Sequence, residues 1–185
     1  MIRPKGGTAS DILRRMTIDS CKHTFNELAA TVLPEHMARL RTSLTKTFPM
    51  SLFCEPGVGV KSILSKLDRT NDFSGCYVLL KGAKPFYVGI SRTVIKRLQQ
   101  HVKGKTHFNA SLAYGMATNK FPHEMTRDEA MANAEFRKEF DIARTLLQNS
   151  SVGFIEIDNP LELYLFEAYC AIELNTCEWN TFRTH

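Results

Sequence analysis

Several side chains able to do chemistry stand where the surrounding sequence is apolar or strand-like. One is Glu167, inside the apolar stretch LELYLFEAYCAIEL. A carboxylate there is costly unless it is paired or binds a cation. Arg97 and His101 are four residues apart, so they share one face if the segment is helical. The set of candidate catalytic residues is Tyr77, Tyr87, Arg97, His101, Glu167 and Asn180.

These residues must be positioned by a few strands and helices. Two apolar runs, 76–80 and 86–90, flank a turn at 82–85 and are typical of a β-hairpin. A third strand is predicted at 152–157. Ser91 is expected to cap the helix that carries Arg97 and His101. Helices are predicted at 11–16, 24–33, 34–47, 62–67, 91–103, 108–119, 126–147 and 160–175.

The charges are distributed unevenly along the chain. The net charge is +5, which permits a polyanionic partner without establishing one. Residues 1–70 carry a net charge of +5 and residues 71–185 a net charge of 0. Between 76 and 123 there are eight basic residues and no acidic one, and the acidic residues follow between 124 and 178. This carboxylate-free stretch is a candidate phosphate-facing surface, or a solvated face balanced by the acidic segment.

Composition and local motifs exclude several classes of protein. Hydrophobic residues make up 43% of the 185 residues and charged residues 23%, which is typical of a soluble globular protein. We find no apolar run of the roughly 18 residues that a membrane span needs, and no signal peptide, so we expect a cytoplasmic protein without a membrane partner. The five cysteines are expected to be free thiols. The glycine-rich segment 57–62 lacks P-loop spacing, which argues against a nucleotide cofactor, and the cysteines lack zinc spacing.

The ordered set of candidate residues resembles the GIY-YIG nuclease superfamily. Gly75-Cys76-Tyr77 corresponds to the first tripeptide of that family and Tyr87-Val88-Gly89 to the second. Arg97 follows Gly89 by eight residues and His101 by twelve, while Glu167 and Asn180 come late in the chain, as the family pattern requires. The resemblance covers roughly residues 73–182 and departs from the family in having Cys76 in place of isoleucine. It implies an α+β fold in which a small, mainly antiparallel sheet of three strands is flanked by helices.

The resemblance also implies metal-dependent hydrolysis of DNA phosphodiester bonds. Glu167 would hold one Mg²⁺ or Mn²⁺, and Arg97 would contact the scissile phosphate. Tyr77 would orient or deprotonate the attacking water, and the second role requires nearby positive charge to lower the pKa of its phenol. Tyr87 and His101 would hydrogen-bond around the water and phosphate, His101 being a candidate proton relay, and Asn180 would support the site through its amide. Candidate DNA-binding residues are Lys81, Lys84, Ser91, Arg92, Lys96, Lys103 and Lys105.

The remaining predictions concern domain organisation and the kind of nuclease. Residues 1–72 are expected to form an N-terminal helical extension for DNA binding or dimerisation, and residues 73–185 a catalytic domain with an insertion at about 104–150. Small free-standing family members resemble type II restriction endonucleases, which act as dimers on palindromes, so a restriction-type enzyme with DNA as partner and a homodimer are expected. The alternatives are a low-specificity phage or defence nuclease and a catalytically silent DNA-binding module.

Overall fold

A computed structural model of the chain describes residues 17–182, so the helix predicted at 11–16 lies outside the described residues. The remaining sequence forms an α+β fold in which helices cover both faces of one sheet. The strands are β1 (Phe48–Pro49), β2 (Gly75–Lys81), β3 (Lys84–Ser91) and β4 (Ser151–Glu156). The α-helices are α1 (Phe25–Glu27), α2 (Leu33–Ser43), α3 (Val60–Lys66), α4 (Val94–Lys103), α5 (Ser111–Lys120), α6 (Arg127–Ala132), α7 (Ala134–Gln148) and α8 (Pro160–Glu173).

The sheet is antiparallel and has four strands in the order β1-β4-β2-β3, so the prediction of three strands was wrong by one. The added strand, β1, consists of two residues that pair with Val152 and Ser151. Two residues are too few to produce an alternating pattern, and Pro49 is compatible only with an edge position. This strand comes from the segment predicted as a helical extension, and it joins that segment to the sheet formed by β2, β3 and β4.

The N-terminal segment forms one continuous helix from Phe25 to Ser43, where the sequence predicted two separate helices. Thr24 caps α1 through a capping box with Glu27. A π-helical turn, Leu28–Val32, then leads directly into α2, with Pro34 in its first turn. The wider π turn suits a proline at this point because proline lacks the N–H group that a regular helix would use.

The core has two layers because successive residues of β2 point to opposite faces of the sheet. Tyr77 and Leu79 face a cluster formed with α4, α5 and α7. Cys76, Val78 and Leu80 face α2 and α8. The helix predicted at 126–147 is interrupted at Asn133, whose side chain caps α7. None of the helices in the described part of the chain is long and apolar enough to cross a membrane.

Candidate active site

The centre of the candidate site is a buried contact between β2 and α4. The hydroxyl of Tyr77 lies 2.7 Å from Nε2 of His101, and both side chains are almost completely buried. The ring of Tyr87 completes a triangle, with its centroid 6.3 Å from that of Tyr77 and 6.0 Å from that of His101. The hairpin and α4 therefore bring three of the six predicted residues into one cluster.

The close packing of this cluster depends on a glycine in the neighbouring strand. Tyr77 lies opposite Gly89 in the β2–β3 register. A Cβ atom at residue 89 would approach the Tyr77 ring and its hydroxyl oxygen to 2.4 Å. Real Cβ atoms do not approach other atoms so closely, so the glycine gives the Tyr77 phenol its space. Gly75 has a comparable role, since a Cβ there would approach the carbonyl oxygen of Ile155 to 2.1 Å.

The guanidinium of Arg97 lies beside this cluster and is hydrogen-bonded to residues that do not belong to it. Its Nη1 donates to the carbonyl oxygen of Asn109 at 3.2 Å and to Oε1 of Gln100 at 3.4 Å, and its Nη2 donates to Oγ of Ser111 at 2.7 Å. None of the three partners was predicted: Gln100 is a neighbour of Arg97 at i+3 on α4, whereas no local pattern connects Asn109 and Ser111 to Arg97. They fix a planar cation next to the tyrosines, in a half-exposed position where an anion can reach it.

The pKa values of the two phenols are raised, whereas a phenol acting as a base would need a lowered pKa. Burial raises the pKa of Tyr77 well above its usual value, and Tyr87 adds to the rise, while Arg97 opposes it. Burial likewise raises the pKa of Tyr87, again against the influence of Arg97. The positive charge expected to lower the pKa of Tyr77 is thus present, but the cost of burying a phenolate outweighs it. In the free protein both residues are neutral hydrogen-bonding groups at neutral pH.

His101 is also neutral in this environment. Burial, together with the smaller effect of the charge of Arg97, lowers its pKa from 6.5 to about 3. Its Nδ1 atom is buried and has no hydrogen-bond partner among the described residues. The imidazole therefore has one engaged nitrogen, Nε2, which either accepts the Tyr77 proton or donates its own to the phenol oxygen, depending on the tautomer.

Glu167 occupies the middle of α8, the helix that packs against β3 and β2. Burial raises the pKa of its half-buried carboxyl group. Its charge in turn raises the pKa of Tyr87 and of Cys76, so the carboxylate is close to the end of the tyrosine cluster. Within residues 17–182, no hydrogen bond or ion pair compensates this carboxylate. The same stretch contains no group of three or more His, Cys, Asp and Glu side chains that could hold a metal ion.

Asn180 lies at the outer edge of the sheet, and its amide is fully engaged there. Its Oδ1 accepts from the backbone N–H of Val88 at 2.9 Å, and its Nδ2 donates to the carbonyl oxygen of Val88 at 2.7 Å. Through these bonds the side-chain amide of Asn180 holds the C-terminal segment against the strand that carries Tyr87.

The start of α4 is organised by a carboxylate that the sequence reasoning missed. The two oxygens of Asp72 accept from the backbone N–H groups of Ile95 and Lys96, each at 2.9 Å. Ser91, expected to cap this helix, ends β3, and its hydroxyl accepts from the N–H of Thr93. An acidic residue suits a helix N-terminus. No local signal could reveal this cap, because Asp72 is separated from α4 by the whole hairpin.

Five of the seven predicted DNA-binding residues fall into two separate groups. Lys81 and Lys84 pair at the end of the hairpin and line a cleft of about 660 Å³ that also contains Glu139 and Glu178. The other group lies along α4 and the loop that follows it. Three lysines and the side chain of Gln100 line a groove there, and no carboxylate is among its described lining residues. The lysines of this α4 groove are Lys96, Lys103 and Lys105.

The other two predicted contacts, Ser91 and Arg92, line neither of these surfaces. Arg92 is exposed in the turn between β3 and α4, close to Ser91. Lys103 lines the α4 groove, but its ammonium group is already engaged by the carbonyl oxygen of Val58. The α4 groove is the better candidate for a phosphate backbone, because Gln100 is shared between it and Arg97.

Comparisons with known proteins add one finding to this geometry. Residues 73–138 match the model of the GIY-YIG catalytic domain. No curated protein and no solved structure matched the chain. The matched range contains Tyr77, Tyr87, Arg97 and His101, and it extends through much of the predicted insertion; Glu167 and Asn180 lie beyond its end. Since motif, fold and family model agree, residues 73–138 carry a GIY-YIG catalytic domain.

Proposed function

We propose that this protein is a metal-dependent endonuclease that hydrolyses phosphodiester bonds in DNA. Its nuclease domain is of the GIY-YIG kind. The observation that carries the proposal is the position of Glu167: a half-buried carboxylate without a compensating cation, whose charge acts on the tyrosine cluster of the catalytic motif. A carboxylate in such a place is costly unless a cation joins it.

The chemistry of Glu167 fits a hard divalent cation such as Mg²⁺ or Mn²⁺. Magnesium keeps several of its waters and is commonly held by one or two carboxylates together with substrate phosphate oxygens. A single protein ligand therefore agrees with the absence of a larger cluster of metal-binding side chains in residues 17–182. When bound, such an ion neutralises charge on the scissile phosphate and on the leaving oxygen.

The other residues would bind phosphate and orient water. Arg97 offers a cationic fork, already aligned by Gln100, Asn109 and Ser111, to the phosphate oxygens. Tyr77 would accept a hydrogen bond from the attacking water while His101 fixes the orientation of its hydroxyl. Because burial raises the pKa of Tyr77, we assign it the orienting role and not that of a base in the free protein. Tyr87 would contact the same phosphate from the side of Glu167.

The test compares cleavage of plasmid DNA by the native chain and by Glu167→Gln in the presence of Mg²⁺ or Mn²⁺. The variant should lose at least about 100-fold in cleavage rate and should also lose Mn²⁺ binding measured by electron paramagnetic resonance. Glu173→Gln, which changes an exposed glutamate of the same helix, is the matched control and should keep both properties. Equal cleavage by the native chain and Glu167→Gln would refute the assignment of the metal site.

We further propose that the enzyme is of the restriction type, because candidate DNA contacts such as the α4 groove lie on the same chain as the catalytic motif. Double-strand cleavage by one active site per chain would then require a homodimer on a palindromic site. Sequencing of the cut ends tests this. A single palindromic sequence with a fixed stagger would support it, and cuts at unrelated sequences would identify a low-specificity nuclease instead.

A further inference from the structure

One large aromatic side chain near the candidate active site is mostly exposed to solvent. Phe108 is 72% exposed, in the loop that joins α4 to α5. It immediately precedes Asn109, whose backbone carbonyl oxygen accepts a hydrogen bond from Arg97. An exposed phenyl ring one residue from the ligand of a candidate phosphate-binding arginine is well placed to meet the substrate.

The loop that carries Phe108 is held in a defined conformation. Gly104 lets the chain fold back at the end of α4, since a Cβ atom there would approach the carbonyl oxygen of Gln100 to 2.5 Å. Thr106 accepts from Asn109 through its hydroxyl and from Ala110 through its carbonyl. The ring of Phe108 is thus presented by a fixed backbone, which lowers the entropy cost of using it for binding.

A buried histidine supports the ring from behind. The centroid of the His107 ring lies 3.9 Å from that of Phe108, with an angle of 41° between the planes. His107 is only 6% exposed and also contacts Tyr114 of α5. The Phe108 ring therefore has one supported side and one free side, which is the arrangement of a stacking platform.

The surroundings of the ring favour a nucleic acid as the occupant. The α4 groove, defined above, contains Asn109 and Lys105 from the same loop, and its described lining residues include no carboxylate. A basic groove next to an exposed aromatic ring is the combination that proteins use to hold a phosphate backbone and contact the bases. A protein partner would be less well matched by three lysines with no carboxylate among the described lining residues of the groove.

We propose that Phe108 is a base-contacting residue that inserts at a base step of duplex DNA while the phosphate backbone lies in the α4 groove. The inference rests on the proposed function, since it assumes that DNA is the substrate. Partial unstacking of one step by an apolar wedge costs free energy in a matched duplex. A step that is already weakened by a mismatch should therefore be preferred by the native chain.

The experiment measures binding of the native full-length chain, in EDTA so that no divalent cation supports cleavage, to two short duplexes. One is fully matched, and the other carries a central single mismatch with 2-aminopurine beside it. The native chain should bind the mismatched duplex more tightly and raise the 2-aminopurine fluorescence. Phe108→Ala should lose about 5- to 150-fold in affinity, the range corresponding to one base–aromatic stack, together with both the preference and the fluorescence change.

Two matched variants make the result decisive. Phe25→Ala removes another phenyl ring of similar exposure, 70%, and should bind as the native chain does. Phe108→Trp keeps an aromatic ring and should retain the mismatch preference. Native-like binding by Phe108→Ala would overturn the inference and leave the proposed function intact, and so would an equal loss by Phe108→Ala and Phe108→Trp. Failure of the native chain to bind either duplex at low salt would overturn both.

Discussion

The neutral state of buried His101 predicts that this residue makes the protein sensitive to acid. In the folded protein the pKa of His101 is lowered from 6.5 to about 3, mainly by burial and also by Arg97 on the same helix. The groups that face it from the strands, Tyr77 and Tyr87, are neutral phenols and supply no compensating negative charge.

The sign of the effect follows from proton binding in the two states. Above pH 6.5 His101 is neutral in both the folded and the unfolded chain and contributes no pH dependence. Below that pH the unfolded chain binds a proton that the folded chain does not bind until about pH 3. The free energy of unfolding must therefore fall as the pH falls, by about 1.4 kcal/mol for each pH unit in this window. Between pH 6.5 and pH 5 the loss due to His101 is about 2 kcal/mol.

The assay is urea denaturation of the native chain, His101→Gln and Tyr77→Phe at pH 7 and pH 5. At pH 7 both variants should be less stable by about 1–3 kcal/mol, because each disturbs the buried hydrogen bond. His101→Gln should lose about 2 kcal/mol less stability than the native chain on going to pH 5, since it has no imidazole to protonate. Tyr77→Phe is the control, because it keeps the imidazole and should keep the full acid dependence.

A second measurement follows the imidazole directly. The NMR signals of the His101 ring nitrogens should stay at their neutral positions from pH 8 to pH 5 in the folded protein. Titration of His101 with a midpoint inside that range would refute the reasoning, as would an unchanged acid dependence in His101→Gln.

Two further substitutions test how the site is positioned. Gly89→Ala should displace the Tyr77 ring, because the added Cβ atom would overlap with it. The free energy of unfolding should fall by about 1–3 kcal/mol, measured by thermal melting, and the rate of plasmid cleavage should fall by more than 10-fold. Native-like values in both assays would contradict the close approach of the two residues. In urea denaturation, Asp72→Ala should lower the free energy of unfolding by about 0.5–2 kcal/mol, because two N–H groups of α4 lose their acceptor. Asp72→Asn should lower it by less, because one amide oxygen remains as an acceptor. Equal stability of all three proteins would show that the cap contributes nothing.

The sequence by itself determined the local structure of the catalytic motif. The hairpin was readable because two apolar runs flank a glycine turn, and α4 because its apolar residues recur at helical spacing. The chemical types and order of Tyr77, Tyr87, Arg97, His101 and Glu167 also sufficed to indicate the family, which the domain match confirms through residue 138. These are properties of short segments, and periodicity reports on short segments.

Only the tertiary structure decided the electrostatic state of the site and the contacts that hold it. The direction of the Tyr77 pKa depends on how deeply the ring is buried, a sum over distant elements that no local pattern encodes. The cap from Asp72, the attachment of Asn180 to Val88 and the strand β1 each join residues separated by 23 or more positions in the sequence. Such contacts arise from packing. The sequence could therefore nominate candidate residues for this site, while the fold decided which of them touch and in which protonation state.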